Sequence, residues 1–176
     1  DELIEVTSDE LRKASFLKTP QDVLALFELP TSTADPSIAT RELCLALDDV
    51  QDPGNLGTII RIADWFGIKN ILCSHGTVDV YNTKTIQSTM GALARVKVHY
   101  VDLKAFLDIC SQNHFPIYGT FLDGNSIYNA ELTNCGVIVM GNEGAGVKDS
   151  TLDKCDSYVY IPMNSNCESL NASVAA

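Results

Sequence analysis

Three stretches of this chain combine residue types that could do chemistry. The first is the loop and helix start Asp48-Asp49-Val50-Gln51-Asp52-Pro53-Gly54-Asn55-Leu56-Gly57, with Arg61 six residues beyond Asn55. Six residues are about 1.7 helical turns, so on a helix Asn55 and Arg61 would not share a face. They could act together only if Asn55 belongs to the loop, at or before the helix cap. Otherwise Asn55 is a plain cap and Arg61 a solvated helix residue. The second stretch is Gly141-Asn142-Glu143-Gly144-Ala145-Gly146. Three glycines in six residues let the backbone approach a ligand closely. The spacing is not the Gly-x-Gly-x-x-Gly of dinucleotide sites, and the Lys-Ser/Thr of a phosphate-binding loop is missing. A nucleoside cradle without a phosphate clamp fits it, as does an ordinary turn. The third runs Ile161-Pro162-Met163 through Ser169-Leu170-Asn171 to Ala175, a strand end, a polar loop and a helix start with Ser169 as its expected cap.

Regular elements must hold these loops. Apolar runs at Leu43–Leu47, Asn70–Cys73, Val96–Val101, Pro116–Leu122, Gly136–Met140 and Ser157–Ile161 read as strands. Helical patterns at Leu56–Phe66, Thr85–Ala94 and Leu103–Asn113 lie between them, the first closed by Gly67. Strands that are apolar throughout and alternate with helices predict an α/β fold, a mostly parallel sheet flanked by helices. In such a sheet ligands bind beyond the carboxyl ends of the strands, where all three loops fall.

The opening differs. Ser8 reads as the cap of a short helix, Val23–Phe27 is strand-like in length, and Pro30–Pro36 has the composition of a linker. Residues 1–35 are read as the end of a larger N-terminal unit, and 36–176 as the main domain. The first residues carry no basic or apolar leader and no initiator Met.

The 176 residues suffice for one full core. With 12 basic and 23 acidic residues the net charge is −11, unlike a strongly basic nucleic-acid binder. The window 61–100 runs the other way: Arg61, Lys69, Lys84, Arg95 and Lys97 stand against Asp64 and Asp79. No apolar stretch reaches the length of a membrane span. Six cysteines without a Cys-x-x-Cys pair, several in apolar runs, point to a reducing cytoplasm and to no metal site. His75, His99 and His114 sit in no recognisable motif.

Taken together and in this order, the loops resemble the SpoU (TrmH-like) RNA ribose methyltransferases of the SPOUT superfamily. The matching residues are Asn55, Gly57 and Arg61; Gly141, Glu143 and Gly146; Ile161 to Met163; and Ser169 to Ala175. Ala172 stands where that family usually has valine.

The resemblance implies transfer of a methyl group from S-adenosylmethionine to a ribose 2′-hydroxyl of tRNA or rRNA. It implies a C-terminal deep trefoil knot and a homodimer whose sites draw on both subunits. Arg61, Asn55, Glu143, Ser169 and Asn171 would be the catalytic set. Arg61 would stabilise charge on the 2′-oxygen, Asn55 orient the ribose or Arg61, and Glu143 fix Arg61 or the loop. Ser169 and Asn171 would position the target nucleotide. Thr120, Phe121, Leu122, Gly141, Asn142, Gly144, Gly146, Ile161, Met163 and Leu170 would hold the cofactor. The resemblance further implies RNA rather than DNA as partner, an N-terminal remnant of an RNA-binding domain, and a last helix continuing beyond Ala176. A non-catalytic RNA-binding relative is the alternative. A nucleotide-dependent oxidoreductase would need a glycine fingerprint after the first strand, and none is there.

Overall fold

A computed structural model describes residues 3–30, 33–164 and 169–176. The chain divides into two units, Asp1–Thr31 and Ser32–Ala176.

In the first unit a single helix, α1 (Ser8–Ala14), is capped by Thr7 rather than Ser8. The Glu10 carboxylate accepts from the Thr7 N–H at 2.8 Å, closing a capping box that a cap at Ser8 could not make. The expected strand over Val23–Phe27 does not form. Val23, Leu26 and Phe27 are largely exposed, and a strand needs a partner to satisfy its backbone.

The second unit begins with a 3-10 turn at Pro36–Thr40 and continues β1 (Leu43–Leu47), α2 (Pro53–Trp65), β2 (Asn70–Ser74) and α3 (Thr83–Thr89). Then come β3 (Lys97–Val101), α4 (Leu103–Gln112), β4 (Ile117–Ser126), β5 (Gly136–Met140), α5 (Asp149–Leu152), β6 (Ser157–Tyr160) and α6 (Ala172–Ala175). The six strands form one sheet in the order β3-β2-β1-β5-β4-β6, and each recorded pairing is parallel. Alternate residues of the strands face two separate cores. Leu45, Leu47, Ile71 and Cys73 pack with the Leu56, Ile59, Ile60 and Ala63 stripe of α2. Cys44, Ala46, Leu72, Val137 and Val139 pack with Leu103, Phe106, Leu107 and Cys110 of α4. The period of 3.6 in the helices and 2 in the strands is what lets one sequence fill both layers.

Several boundaries move for identifiable reasons. Asp52 caps α2 by accepting from the Asn55 N–H at 2.8 Å, so the helix starts at Pro53, three residues earlier than expected. The expected helix 85–94 breaks at Met90 and Gly91, both at positive φ, leaving α3 and a 3-10 turn at Ala92–Ala94. β4 runs on to Ser126 through a bulge: Val159 of β6 pairs with Thr120 and again with Asn125. Residues 121–124 therefore stand out from the sheet. The last helix is capped by Asn171, not Ser169. The Asn171 Oδ1 accepts from the Ser173 N–H at 2.9 Å. The four-residue α5 has no counterpart in the sequence reading.

Candidate functional site

The sheet's order reverses direction between β1 and β5: β2 and β3 lie to one side, β4 and β6 to the other. A crevice at such a switch point is where open parallel sheets bind ligands. The loops that leave β1 and β5 meet there. They line an open cleft of about 670 Å³ with Gln51, Asp52, Pro53, Asn55, Asn142, Glu143, Gly144 and Asn171.

Glu143 organises it. Its carboxylate accepts from the Gln51 N–H at 3.2 Å, the Asp52 N–H at 3.1 Å and the Asn55 Nδ2 at 3.0 Å. Burial pushes this carboxyl up, but the hydrogen bonds, led by the Asn55 amide, outweigh it and hold the group below the usual carboxylate range. Asn55 carries the chain of contacts onward, because its Oδ1 accepts from the Asn171 Nδ2 at 3.0 Å. Glu143, Asn55 and Asn171 thus tie the glycine loop, the first turn of α2 and the start of α6 into one polar line. Asn55 does this from within the helix, not from the cap. Its orientation is fixed at both ends: a donor toward a carboxylate, an acceptor toward an amide.

Asn142 holds the glycine loop from inside. Its Oδ1 accepts from the Gly144 and Ala145 N–H groups at 2.9 Å, and its Nδ2 donates to the Asp49 carbonyl at 2.7 Å. A Cβ on Gly141 would lie 2.1 Å from the Gly146 carbonyl carbon and the Val147 nitrogen. The loop crossing itself therefore requires glycine at 141. Gly146, at φ +72°, turns the chain. Gly144, with the Asn142 Oδ1 at 3.7 Å in ordinary contact, and Gly146, with nothing within 4 Å, both leave space beside their backbone that a ligand could enter.

Beneath lies a cluster the sequence reading missed. Asp48 is 2% exposed at the end of β1, and it accepts from the Lys148 N–H at 3.0 Å while its carboxylate faces Lys148 Nζ at 3.6 Å. Asp49, at φ 59°, pairs with the same ammonium and accepts from Ser74 Oγ at 2.6 Å. The Lys148 hydrogen bond comes first in holding Asp49 below the usual range, and the same bond raises Lys148. Two acids directly after an apolar strand, with the first cation after the glycine loop, were the available signal: a buried carboxylate requires a partner.

Arg61 lies apart. It is exposed on α2, and among the described residues none makes a hydrogen bond or ion pair with its guanidinium. Within the chain Glu143 meets Gln51, Asp52 and Asn55, and not Arg61. Ser169 is exposed and does not cap α6.

The remaining candidates lie along the ends of three neighbouring strands. Gly141 follows β5, Thr120 closes the first paired stretch of β4 with Phe121 and Leu122 after it, and Ile161 follows β6, in the sheet order β5-β4-β6. Thr120 is tied down, its Oγ1 donating to the Val139 carbonyl at 2.9 Å. Phe121, Leu122, Ile161, Met163 and Leu170 are all exposed apolar side chains. Phe121 leans on Tyr158 with ring centroids 6.0 Å apart. Exposed apolar groups at strand ends, beside a polar cleft, can clasp a flat apolar ring and its polar substituents. Among the described residues no group of His, Cys, Asp or Glu is placed to hold a metal. Burial pushes the Cys44, Cys73 and Cys155 thiols up to about 12 and Cys110 to about 11, away from the reactive thiolate form.

Residues 42–176 match the SpoU rRNA Methylase family model. The chain is 34% identical over 172 residues to the Bacillus subtilis 23S rRNA (guanosine(2553)-2′-O)-methyltransferase RlmP, covering 97% of this chain and 68% of that protein. Among solved structures, a TrmH-family protein from Porphyromonas gingivalis superposes with a TM-score of 0.89 at 38% identity, over 99% of this chain and 69% of the other. The SpoU methyltransferase AviRb from Streptomyces viridochromogenes, in complex with the cofactor AdoMet, gives 0.74 at 29% identity, over 84% and 62%. The chain spans between about a third and just over two thirds of the length of the curated relatives it matches.

Proposed function

The chain belongs to the SpoU rRNA methylase family, and on that premise we propose that it transfers a methyl group from S-adenosylmethionine to a ribose 2′-hydroxyl of rRNA or tRNA. The observation that carries this reading is the line Glu143–Asn55–Asn171, which joins the three loops at the sheet's switch point. The residues present suit the cofactor. Phe121, Leu122, Ile161, Met163 and Leu170 offer exposed apolar surface for an adenine ring, and Gly144 leaves backbone within reach of polar substituents. Among the described residues, no Lys or Arg of the kind a triphosphate clamp needs lines the cleft. Bound there, S-adenosylmethionine supplies an electrophilic methyl group on a sulfonium, which leaves as a neutral thioether.

The protein aligns the acceptor and accommodates charge. The 2′-oxygen forms its new bond to carbon as its proton leaves. Arginine stays protonated in proteins, so Arg61 is no base. A guanidinium beside the oxygen stabilises the negative charge that develops, and it can hold the RNA phosphate that takes the proton. Asn55, fixed at both ends, and Asn171 position the ribose. Ser169 completes that contact set, and Glu143 acts by holding Asn55.

Arg61 stands on a different face of α2 from Asn55 and meets none of this line within one chain. That separation supports a homodimer in which Arg61 of one subunit completes the site of the other. The exposed Val174 on α6 and Met90 after α3 supply further apolar surface for such an assembly. The same reading includes the deep trefoil knot through the segments after β5 and β6, a cytoplasmic location, and residues 1–35 as the end of an RNA-binding domain. RNA rather than DNA follows from the 2′-hydroxyl itself.

Calorimetric titration of the full-length protein with S-adenosylhomocysteine tests the cofactor. One saturable site per subunit is expected; tight binding of NAD with no response to S-adenosylhomocysteine would reverse the choice of class. Retained cofactor binding without methyl transfer to any RNA would favour the non-catalytic relative.

A further inference from the structure

Trp65 is the only tryptophan in the chain, and it is 84% exposed. It lies four residues after Arg61 in α2, so the two side chains share a face about 6 Å apart along the axis. Gly57, one turn before Arg61, begins the same stripe. There α3 closes so tightly that a Cβ would lie 2.4 Å from the Ser88 Cβ. α3 ends at Thr89, and beyond it the stripe is bare at both Arg61 and Trp65.

The local charge is arranged as well. Asp64, three residues after Arg61 on the same helix, is the natural partner for its guanidinium. It is already taken. Arg95 Nε donates to the two Asp64 oxygens at 2.9 and 3.1 Å, and its Nη2 donates to one of them at 2.6 Å. The fork of Arg95 neutralises the carboxylate and leaves Arg61 available. At the base of β2 and β3, joined by a backbone hydrogen bond of 2.8 Å, lie two exposed lysines: Lys69, whose ammonium faces Glu42 at 3.9 Å, and Lys97, which adds positive charge in a chain whose net charge is −11.

An exposed indole beside a guanidinium that has no partner among the described residues, in a sequence window of net positive charge, fits one ligand chemistry best: an unpaired nucleotide. Its base has a π-face to stack and its phosphate a charge to pair. We propose that the Arg61–Trp65 face of α2 docks a single-stranded nucleotide flanking the one that is methylated, its base on Trp65 and its phosphate toward Arg61. The proposal rests on the RNA methyltransferase reading and adds to it a residue that sets which RNA segments can enter: an unpaired flanking base binds, a base held in a duplex does not.

The test reads the fluorescence of Trp65 as the difference between the wild type and Trp65→Phe, so that any tryptophan outside these 176 residues cancels. The full-length protein is titrated with an unstructured 12-nucleotide RNA and with the same sequence as a duplex, at fixed protein concentration, following tryptophan fluorescence. Saturable quenching by the single strand, several-fold weaker for the duplex, is expected. Measured separately with end-labelled RNA, Trp65→Ala lowers affinity about 5- to 150-fold, the scale of one lost base stack. Trp65→Tyr stays within about threefold of the wild type, and S-adenosylhomocysteine binds all three proteins alike. No response to RNA, with a fluorescence that changes in a separate dilution series of the protein alone, would assign the face to a second copy of the chain and overturn the proposal. So would Trp65→Ala binding and methylating RNA as the wild type does, which would leave the methyltransferase reading intact. A wild type that binds no RNA would remove both.

Discussion

Asn55 sits between a carboxylate and an amide, and the change of one atom reverses half of that arrangement. In Asn55→Asp the shape is kept, but the donor that meets Glu143 at 3.0 Å becomes a second carboxylate oxygen. The lost bond is of the charged kind, worth about 1.5–3 kcal/mol when buried and less here, where Glu143 is exposed. Two unit charges 3 Å apart repel by about 1.4 kcal/mol in water and about 5.5 at an effective dielectric constant of 20. Exposure favours the low figure, so the two effects together come to roughly 2–3 kcal/mol, or about 30- to 150-fold in the population of the assembled cleft. The sign of the pH dependence follows. The pair of carboxylates raises the pKa of one member, and a proton taken up restores a hydrogen bond between them. The defect of Asn55→Asp therefore shrinks as pH falls from 8 toward 5. Asn55→Ala, which loses the contacts without adding repulsion, shows no such recovery and is the milder variant at pH 8. The assay is S-adenosylhomocysteine binding and single-turnover methyl transfer for both variants at pH 8 and 5.5. Asn55→Asp behaving like the wild type at pH 8, or a defect that deepens in acid, would refute the reasoning.

Arg61→Ala should lower the rate of methyl transfer about 100-fold or more while leaving cofactor affinity unchanged, and Arg61→Lys should lose most activity because the planar fork is gone; equal turnover in single-turnover assays would return Arg61 to the plain surface. Arg95→Gln should free Asp64 to pair with Arg61 and so slow transfer, and Asp64→Asn added to it should restore the rate; a double variant as slow as the single one would show that Arg95 acts otherwise. In the wild type, Glu143 has a folded pKa below its unfolded one, so the stability it contributes is complete above the ordinary carboxyl pKa and is lost only as pH falls through the lowered value. Thermal unfolding of the wild type and Glu143→Gln between pH 8 and 3 should therefore show a difference that is constant down to about pH 5 and closes below it; a gap that closes near neutrality would contradict the assignment. Lys148→Met leaves Asp48 buried at 2% exposure without its ammonium, and the melting temperature should drop by several degrees, with weaker cofactor binding; an unchanged melting temperature would show that the Lys148 pairing contributes nothing.

The strands and the long helices were legible because a parallel sheet with two cores demands apolar runs, and the helices between them their 3.6-residue stripes. Gly136–Met140 falls where it was read. The segments misjudged are those decided by a single side-chain contact. Glu10 moves the α1 cap to Thr7, Asp52 takes Asn55 into α2, and Gly91 ends what periodicity shows as a longer helix. Val23–Phe27 has the residues of a strand, but a strand exists only where another pairs with it. At the site, the sequence brought Asn55, Glu143 and Asn171 onto converging loops. It could not show that Glu143 meets Asn55 rather than Arg61, because contacts 88 residues apart depend on strand order. Asp48 and Lys148 escaped for the same reason.

Position of the methyl group on RNA is the most direct measure of the account. The full-length protein is incubated with methyl-labelled S-adenosylmethionine and rRNA or tRNA from cells lacking the gene, and the product is hydrolysed in alkali. Alkali cleaves RNA through the free 2′-hydroxyl, so a 2′-O-methyl group protects its own linkage. Label recovered in alkali-resistant dinucleotides is the predicted result. Label recovered on the bases of mononucleotides would contradict ribose methylation and with it the roles given to Arg61, Asn55 and Asn171.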